Sequence, residues 1–168
     1  IQQAVKDIVA KYPQVEFIYT NLYGDIWGDV PKELRKQVIP ACREIKCGGY
    51  HKVCTKSYVD FDKYAKVLNS LKIDIGLAPL QDNLFNRSKS NLRILEYFAD
   101  KVAVIASPVR PYSETIKDGE NGLLAKEKSD WFNAMERLIL DEKLRNKLKE
   151  NGWRTLNNNF DAEKNARK

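Results

Sequence analysis

Ser88-Lys89-Ser90-Asn91, followed by Glu96, is the stretch of this chain best equipped for chemistry. Hydroxyls, an amide and a lysine directly before a helical run can converge on an anion. The first-turn N–H groups of a helix have no carbonyl one turn back, and they carry the positive end of its dipole. Glu96, further along the same helix, offers a carboxylate that accepts hydrogen bonds from a vicinal diol such as a ribose. A diphosphate at the helix start and a ribose at Glu96 describe a nucleotide. The plain alternative is an amphipathic helix capped by Ser88 or Ser90, with Lys89 exposed and Glu96 paired to Arg93.

The elements that must position these residues are visible on either side. Asp74-Ile-Gly-Leu-Ala-Pro-Leu80 and Val102-Ala-Val-Ile-Ala106 are nearly continuous apolar runs, as in strands buried on both faces. Leu92, Leu95, Phe98 and Ala99 supply the buried stripe of the helix between them. Strand, polar loop, helix N-terminus and strand place an anion site in the crevice at the carboxyl ends of parallel strands. Upstream, Ile1, Val5, Ile8, Val9 and Tyr12 predict a helix closed by Pro13, and Val15 to Tyr19 is β-rich. Gly24, Gly28, Pro31, Pro40 and Gly48-Gly49 break the next stretch. A short strand is expected near Val53-Cys54-Thr55, then a helix capped by Asp60 with Tyr64, Val67, Leu68 and Leu71 inward.

Downstream, Asp118-Gly119 and Asn121-Gly122 are turn pairs suited to positive φ. Ser129 or Asp130 is expected to cap a helix with Trp131, Met135, Leu138 and Ile139 inward. A last helix from about Glu142 to Asn151 is expected to end at Gly152, with Asn157-Asn-Asn159 in a loop. Helices alternating with buried strands predict an α/β fold, a Rossmann-like doubly wound parallel sheet with helices on both faces. Such a sheet opens on a strand, whereas this chain opens on a helix and on Ile1 rather than Met. The expectation is one domain, residues 1–168, of a longer protein, lacking its first strand and a partner domain.

The 168 residues suffice for a core without disulfides, and 43% hydrophobic with 31% charged residues excludes a disordered chain. No apolar run approaches the roughly 20 residues that span a bilayer. The net charge of +6 suits an anionic ligand, nucleic acid or an acidic membrane surface equally, and the basic residues are spread along the chain. Cys42, Cys47 and Cys54 are an odd number without a Cys-x-x-Cys pair, which argues against a disulfide framework and for a cytoplasmic setting. With His51 they form Cys-x4-Cys-x3-His-x2-Cys, but the tight knuckle of a structural zinc site is missing, so free thiols are expected and no metal.

Taken together, Asp74-Ile-Gly-Leu-Ala-Pro-Leu80, Lys89-Ser-Asn-Leu-Arg-Ile-Leu-Glu-Tyr97, Val104-Ile-Ala-Ser107, Pro111-Tyr-Ser-Glu114 and Asp118-Gly-Glu-Asn-Gly-Leu-Leu124 resemble, in order and spacing, the C-terminal donor-binding domain of GT-B-fold glycosyltransferases, the retaining family called group 1. The resemblance implies a nucleotide diphosphate sugar as donor, bound as substrate with no cofactor, and metal-independent transfer to a glycan, lipid or protein acceptor with retention. It implies that Ser88, Lys89, Ser90 and Asn91 embrace the donor diphosphate and that Glu96 binds the ribose. Thr55 and Tyr58 would lie near the base, with Arg93, Pro111 and Tyr112 as further donor-site residues. Ser88 stands where the family has the first glutamate of its paired-glutamate motif. No catalytic residue is assigned, because the acceptor side would belong to an N-terminal domain of the same protein. Localisation is expected to be cytoplasmic, with peripheral contact to the inner membrane face left open.

Three other readings compete. A non-catalytic nucleotide-sugar-binding module of the same fold is suggested by Ser88. Nucleic-acid binding is suggested only by net charge, without a recognition helix or an interleaved aromatic and basic strand. A receiver-like signalling domain would need acids at the strand ends, and Asp74 lies at the wrong end of its strand.

Overall fold

The structure, a computed structural model, describes residues 1–15, 17 and 61–160. The chain divides into two compact units, Ile1–Ala4 with Leu68–Lys168, and Val5–Val67. Helix α1 (Gln2–Lys11) forms where the spacing predicts, with Ala4, Ile8 and Val9 buried and a turn at Pro13. The strand expectations at 15–19 and 53–55, and Asp60 as a cap, fall outside the described residues. Helix α2 (Phe61–Ser70) buries Leu68. Lys72, at φ 51°, turns the chain out of it toward the sheet.

Three parallel strands are described, in the order β1 (Ile75–Ala78), β2 (Ala103–Ala106), β3 (Leu123–Leu124). Ile75 pairs with Ala103 and Ala78 with Ala106, while Ile105 and Ala106 pair with Leu123 and Leu124. β2 is buried at every residue, as a central parallel strand covered on both faces must be. The Rossmann-like α/β arrangement read from the sequence is thus the observed one. β3 was not foreseen: two residues are too short to carry a periodicity.

Helix α3 (Leu84–Arg87) occupies the loop after β1, and helix α4 (Leu92–Ala99) links β1 to β2. The inward stripe of α4 differs from the expected one. Ile94 and Phe98 are fully buried and Leu95 and Tyr97 partly so, whereas Leu92 is 56% exposed and Ala99 is exposed. Ile94 and Phe98, one turn apart, meet Ala78, Val104 and Ala106 on one face of the sheet, which rotates Leu92 in the first turn away from it. α4 ends in a Schellman motif, with Lys101 N bonded to Phe98 O and Val102 N to Tyr97 O, and Lys101 taking the left-handed position at φ 53°.

Helix α5 (Tyr112–Thr115) starts after Pro111, which sits at its N-cap position. Helix α6 (Lys128–Leu140) is capped by Glu127, neither by Ser129 nor by Asp130. Asp130 is the third residue of its first turn, and its carboxylate reaches back to the amides of Lys126 and Glu127 (3.1 and 2.9 Å), completing a capping box. Trp131, Met135 and Leu138 point inward as predicted, with Ala134, while Ile139 is only half-buried.

Helix α7 (Glu142–Asn159), capped by Asp141, corrects two expectations: Gly152 does not end it, and Asn157-Asn-Asn159 completes it rather than forming a loop. Gly152 is buried against α4, and a Cβ placed on it would lie 2.5 Å from Phe98 Cδ1. The glycine there is a contact residue between two helices, which a propensity argument alone reads as a stop. Gly152→Ala, a gain of about 1 kcal/mol in an ordinary helix interior, is therefore expected to destabilise by about 1–3 kcal/mol in denaturant titration. A neutral or stabilising result would show that Phe98 yields at no cost.

Candidate functional site

The carboxyl ends of β1 and β2 are tied together before any ligand-facing residue appears. Ser107, buried at the end of β2, accepts the Leu80 amide through Oγ at 2.9 Å and donates its own amide to Ala78 O at 3.2 Å. From this edge the β1 loop departs as a built structure. Asn83 caps α3 through the Asn86 amide (2.8 Å), and buried Asn86 bonds Gln81 O through Nδ2 (2.8 Å). Arg87 chelates Asp82 through both ends of its guanidinium and holds that carboxyl below the usual range, although both are exposed. The polar loop expected from sequence thus contains a braced helical turn, whose signal was the Asn83 cap.

Ser88 terminates α3, and its hydroxyl donates to Leu84 O at 3.1 Å. It does not cap α4, and neither does Ser90. The residue at the N-cap position is Asn91, whose side chain makes no bond to the first turn. Its Nδ2 donates instead to Thr115 Oγ1 on α5 at 2.8 Å. Lys89 lies between the two helices, exposed, with Nζ 4.9 Å from the centroid of the Phe85 ring. Ser88, Lys89, Ser90 and Asn91 therefore occupy the short joint between α3 and α4, beside a first turn whose Ile94 amide bonds Asn91 O at 2.9 Å.

Glu96 lies on the same helix with only 15% of its side chain exposed, and Arg93 Nη1 is 3.2 Å from its carboxylate. This is the i,i+3 pair expected of the plain alternative, and it also neutralises a half-buried acid. Tyr112 and Tyr97 are brought to the same place. Burial pushes both phenols above their usual value, while Arg93 pulls each down and Glu96 pushes each up. Tyr97 also donates to Leu77 O at 3.4 Å. The structure so gathers Arg93, Glu96 and Tyr112 around one patch, with Pro111 half-buried beside it. Glu114 is exposed and paired to Arg110.

The turn pairs prove unequal. Gly119 has φ +72°, and Asp118 Oδ1 accepts the Leu124 amide at 2.8 Å, as turn chemistry requires. Gly122 has no positive φ; its missing Cβ would lie 3.0 Å from Ile116 Cγ2. Asn121 is 2% exposed and serves as an interior bracket, accepting the Lys117 amide (2.8 Å) and donating to Thr115 O (3.2 Å) and Thr155 Oγ1 (3.1 Å). Sequence reasoning gave Asn121 no role beyond the turn, because Asn-Gly is the commonest turn signal.

Thr55 and Tyr58 lie outside the described residues, as do Cys42, Cys47, His51 and Cys54. No cluster of potential metal ligands occurs among the described residues. An Asp-x-Asp spacing occurs once in the chain, at Asp60 and Asp62. Asp60 lies outside the described residues, and the Asp62 side chain is not described. A groove lined by Leu68, Lys72, Asp74, Lys101 and Lys149 lies at the amino ends of β1 and β2. Its Lys149 and Lys101 are already paired, with Asp74 and Glu150, each at 2.9 Å. No helix among the described residues is long and apolar enough to cross a membrane.

Residues 92–155 match the sequence signature of the family described as Glycosyl transferases group 1. The match covers α4 to most of α7, including Arg93, Glu96, Pro111 and Tyr112, and begins just after Lys89 and Asn91. Among solved structures, the C-terminal domain of a glycosyl transferase group 1 family protein (LpcC) from Francisella tularensis is similar at 23% identity and a TM-score of 0.72, over 95% of this chain and 77% of that one. TarM from S. aureus, a mutant solved with fondaparinux, alpha-GlcNAc-glycerol and UDP, is similar at 15% identity and a TM-score of 0.65. That likeness covers 98% of this chain and 30% of TarM. At these identities the structures speak for the fold. No curated protein is similar enough in sequence to count as a relative.

The buried phenols carry a pH consequence. A folded pKa raised above the unfolded value near 10 gives stability that is complete below that value and is lost as pH rises through the folded one. Unfolding free energy is thus expected to fall above about pH 10, less steeply in Tyr97→Phe. Tyrosinate absorbance with every phenol titrating at the usual value would contradict this.

Proposed function

We propose that this chain, which has the fold of the group 1 glycosyltransferase C-terminal domains and their signature at residues 92–155, is the donor-binding part of a glycosyltransferase that takes its sugar from a nucleotide diphosphate sugar. The observation that carries the reading is the joint between α3 and α4: a helix start with no side-chain cap, Lys89 beside it and half-buried Glu96 on the same helix, at the carboxyl ends of two parallel strands. An anion site is the ordinary use of that position in an open α/β sheet. In this reading the α4 amides and Lys89, with Ser88, Ser90 and Asn91 around them, hold the diphosphate. Glu96 accepts the ribose hydroxyls, and Arg93, Pro111 and Tyr112 border the donor.

The reaction breaks the bond between the anomeric carbon and the diphosphate oxygen and forms one to an acceptor hydroxyl, with retention. Negative charge grows on the departing diphosphate, and fixed N–H dipoles with a lysine stabilise it without reorganisation, in place of a metal ion. A glycan, lipid or protein acceptor, and any group that takes its proton, belong to an N-terminal domain of the same protein. A cytoplasmic enzyme with peripheral access to the membrane face is consistent with such acceptors.

One observation favours a second reading, a non-catalytic module that binds the same ligands. Ser88, in the place of the family's first glutamate, spends its hydroxyl on Leu84 O. Calorimetric titration with UDP, GDP, ADP, CDP and their sugars, with and without magnesium, tests the site. One nucleoside diphosphate is expected to bind saturably. Lys89→Ala and Glu96→Ala are each expected to weaken it by about 10-fold or more, the worth of one charge-assisted hydrogen bond. Binding that survives both substitutions would remove the donor site from α4. Sugar transfer by the full-length protein would exclude the non-catalytic reading.

A further inference from the structure

Helix α4 begins with a residue type that ordinarily closes a helix. Asparagine is among the strongest N-caps, accepting a first-turn amide through Oδ1. Asn91 makes no such bond, because its amide is held elsewhere, by Nδ2 on Thr115 Oγ1 at 2.8 Å. The Thr115 hydroxyl donates its proton to Pro111 O at 3.3 Å. It therefore faces Asn91 with lone pairs only, and this fixes which end of the Asn91 amide it takes. The backbone agrees: Asn91 has φ −84° and ψ 13°, away from the extended conformation of a capping residue.

Thr115 is itself braced. It is 8% exposed, and its carbonyl accepts Asn121 Nδ2 at 3.2 Å. The same Nδ2 donates to Thr155 Oγ1 on α7 at 3.1 Å, and Thr155 donates to Asn151 O at 2.8 Å. Asn151 closes the path by donating to Glu120 O at 2.7 Å. A line of hydrogen bonds, exposed between Asn151 and Glu120 and buried or half-buried beyond them, thus runs from the last helix, through the 117–122 turn and α5, to the N-cap position of α4.

We propose that Thr115 is a positioning residue for donor binding: by holding the Asn91 side chain, and being held by Asn121 and α7, it keeps the first turn of α4 open for a diphosphate. The proposal rests on the donor-site reading above. It assigns the Asn91 amide a role of restraint, leaving contact with the phosphates to the backbone and Lys89. Without the Thr115 acceptor, Asn91 turns onto its own helix and competes with the ligand for the same amides.

The test uses the full-length protein, UDP, GDP, ADP and CDP as probes, and the kcat and KM of the nucleotide sugar turned over. Thr115→Val keeps the volume and removes the acceptor. It is expected to raise the nucleotide Kd and the donor KM by about 5-fold, the affinity equivalent of one helix cap, with kcat little changed. Thr115→Ser should restore wild-type affinity. Adding Asn91→Ala to Thr115→Val should tighten binding again, since no side chain remains to compete; a merely structural loss would deepen with the second truncation. If Thr115→Val does not fold, Thr115→Ala, which also lacks the hydroxyl and cannot overpack, carries the same comparison. Wild-type affinity in the valine or alanine variant, or weaker binding in the double variant, overturns the proposal alone. A folded wild type that binds none of the four nucleotides overturns the donor-site reading, and this proposal with it.

Discussion

Phe98 is the residue on which the described fold turns. Its ring is fully buried where α4 meets the sheet, in the cluster of Ala78, Ile94, Val104, Ala106, Tyr112 and Ile116. Gly152 lets α7 come close enough to touch the same ring. One aromatic side chain therefore sets the height of α4 over β1 and β2 and the approach of α7. Close-packed interiors transmit such a constraint, because a helix seated at its buried face has little freedom at its ends. The position of the α4 N-terminus relative to the strand ends follows from packing more than a turn away from it.

What packing fixes at one end of α4, hydrogen bonds fix at the other. Ser107 ties the ends of β1 and β2, Asn83 and Asn86 brace α3, and Asn91 is anchored to Thr115. Each is a polar side chain spent on the backbone or on another side chain, and buried polar groups are worth keeping only when satisfied in this way. A rigid frame thus surrounds a helix start that its own sequence leaves uncapped. Rigid supports around unsatisfied, oriented amides are what an anion site needs, since donors fixed beforehand are not reorganised when charge arrives.

Much of this was legible along the chain. The strands 75–78 and 102–106 announced themselves by apolar runs with no polar alternation, and the helices by their spacing. The order of strand, loop, helix start and strand matches the order of elements in the structure. The group 1 glycosyltransferase resemblance rested on five short pieces in register, and the signature at 92–155 and the shared fold agree with it. Less legible were features that depend on what a residue touches. The α4 stripe was displaced to Ile94 and Phe98 by the orientation the sheet imposes. Glu127 displaced Ser129 and Asp130 as a cap, because Asp130 does more one turn in by reaching back to two amides.

The sequence by itself determined the class of fold, the order of its elements and the residue types available at the strand ends, because hydrophobic period and turn chemistry are local properties. Only the tertiary structure decided the meaning of individual polar and small residues. Gly152 is a contact in place of a stop, and Asn121 a bracket in place of a turn. Asn91, read only as part of the polar helix start, is an anchored amide, and Ser88 the end of one helix in place of the start of the next. The physical reason is common to all four. A glycine, an asparagine or a serine has several local uses of similar free energy, and the partner that selects among them comes from another part of the chain, brought near only by folding.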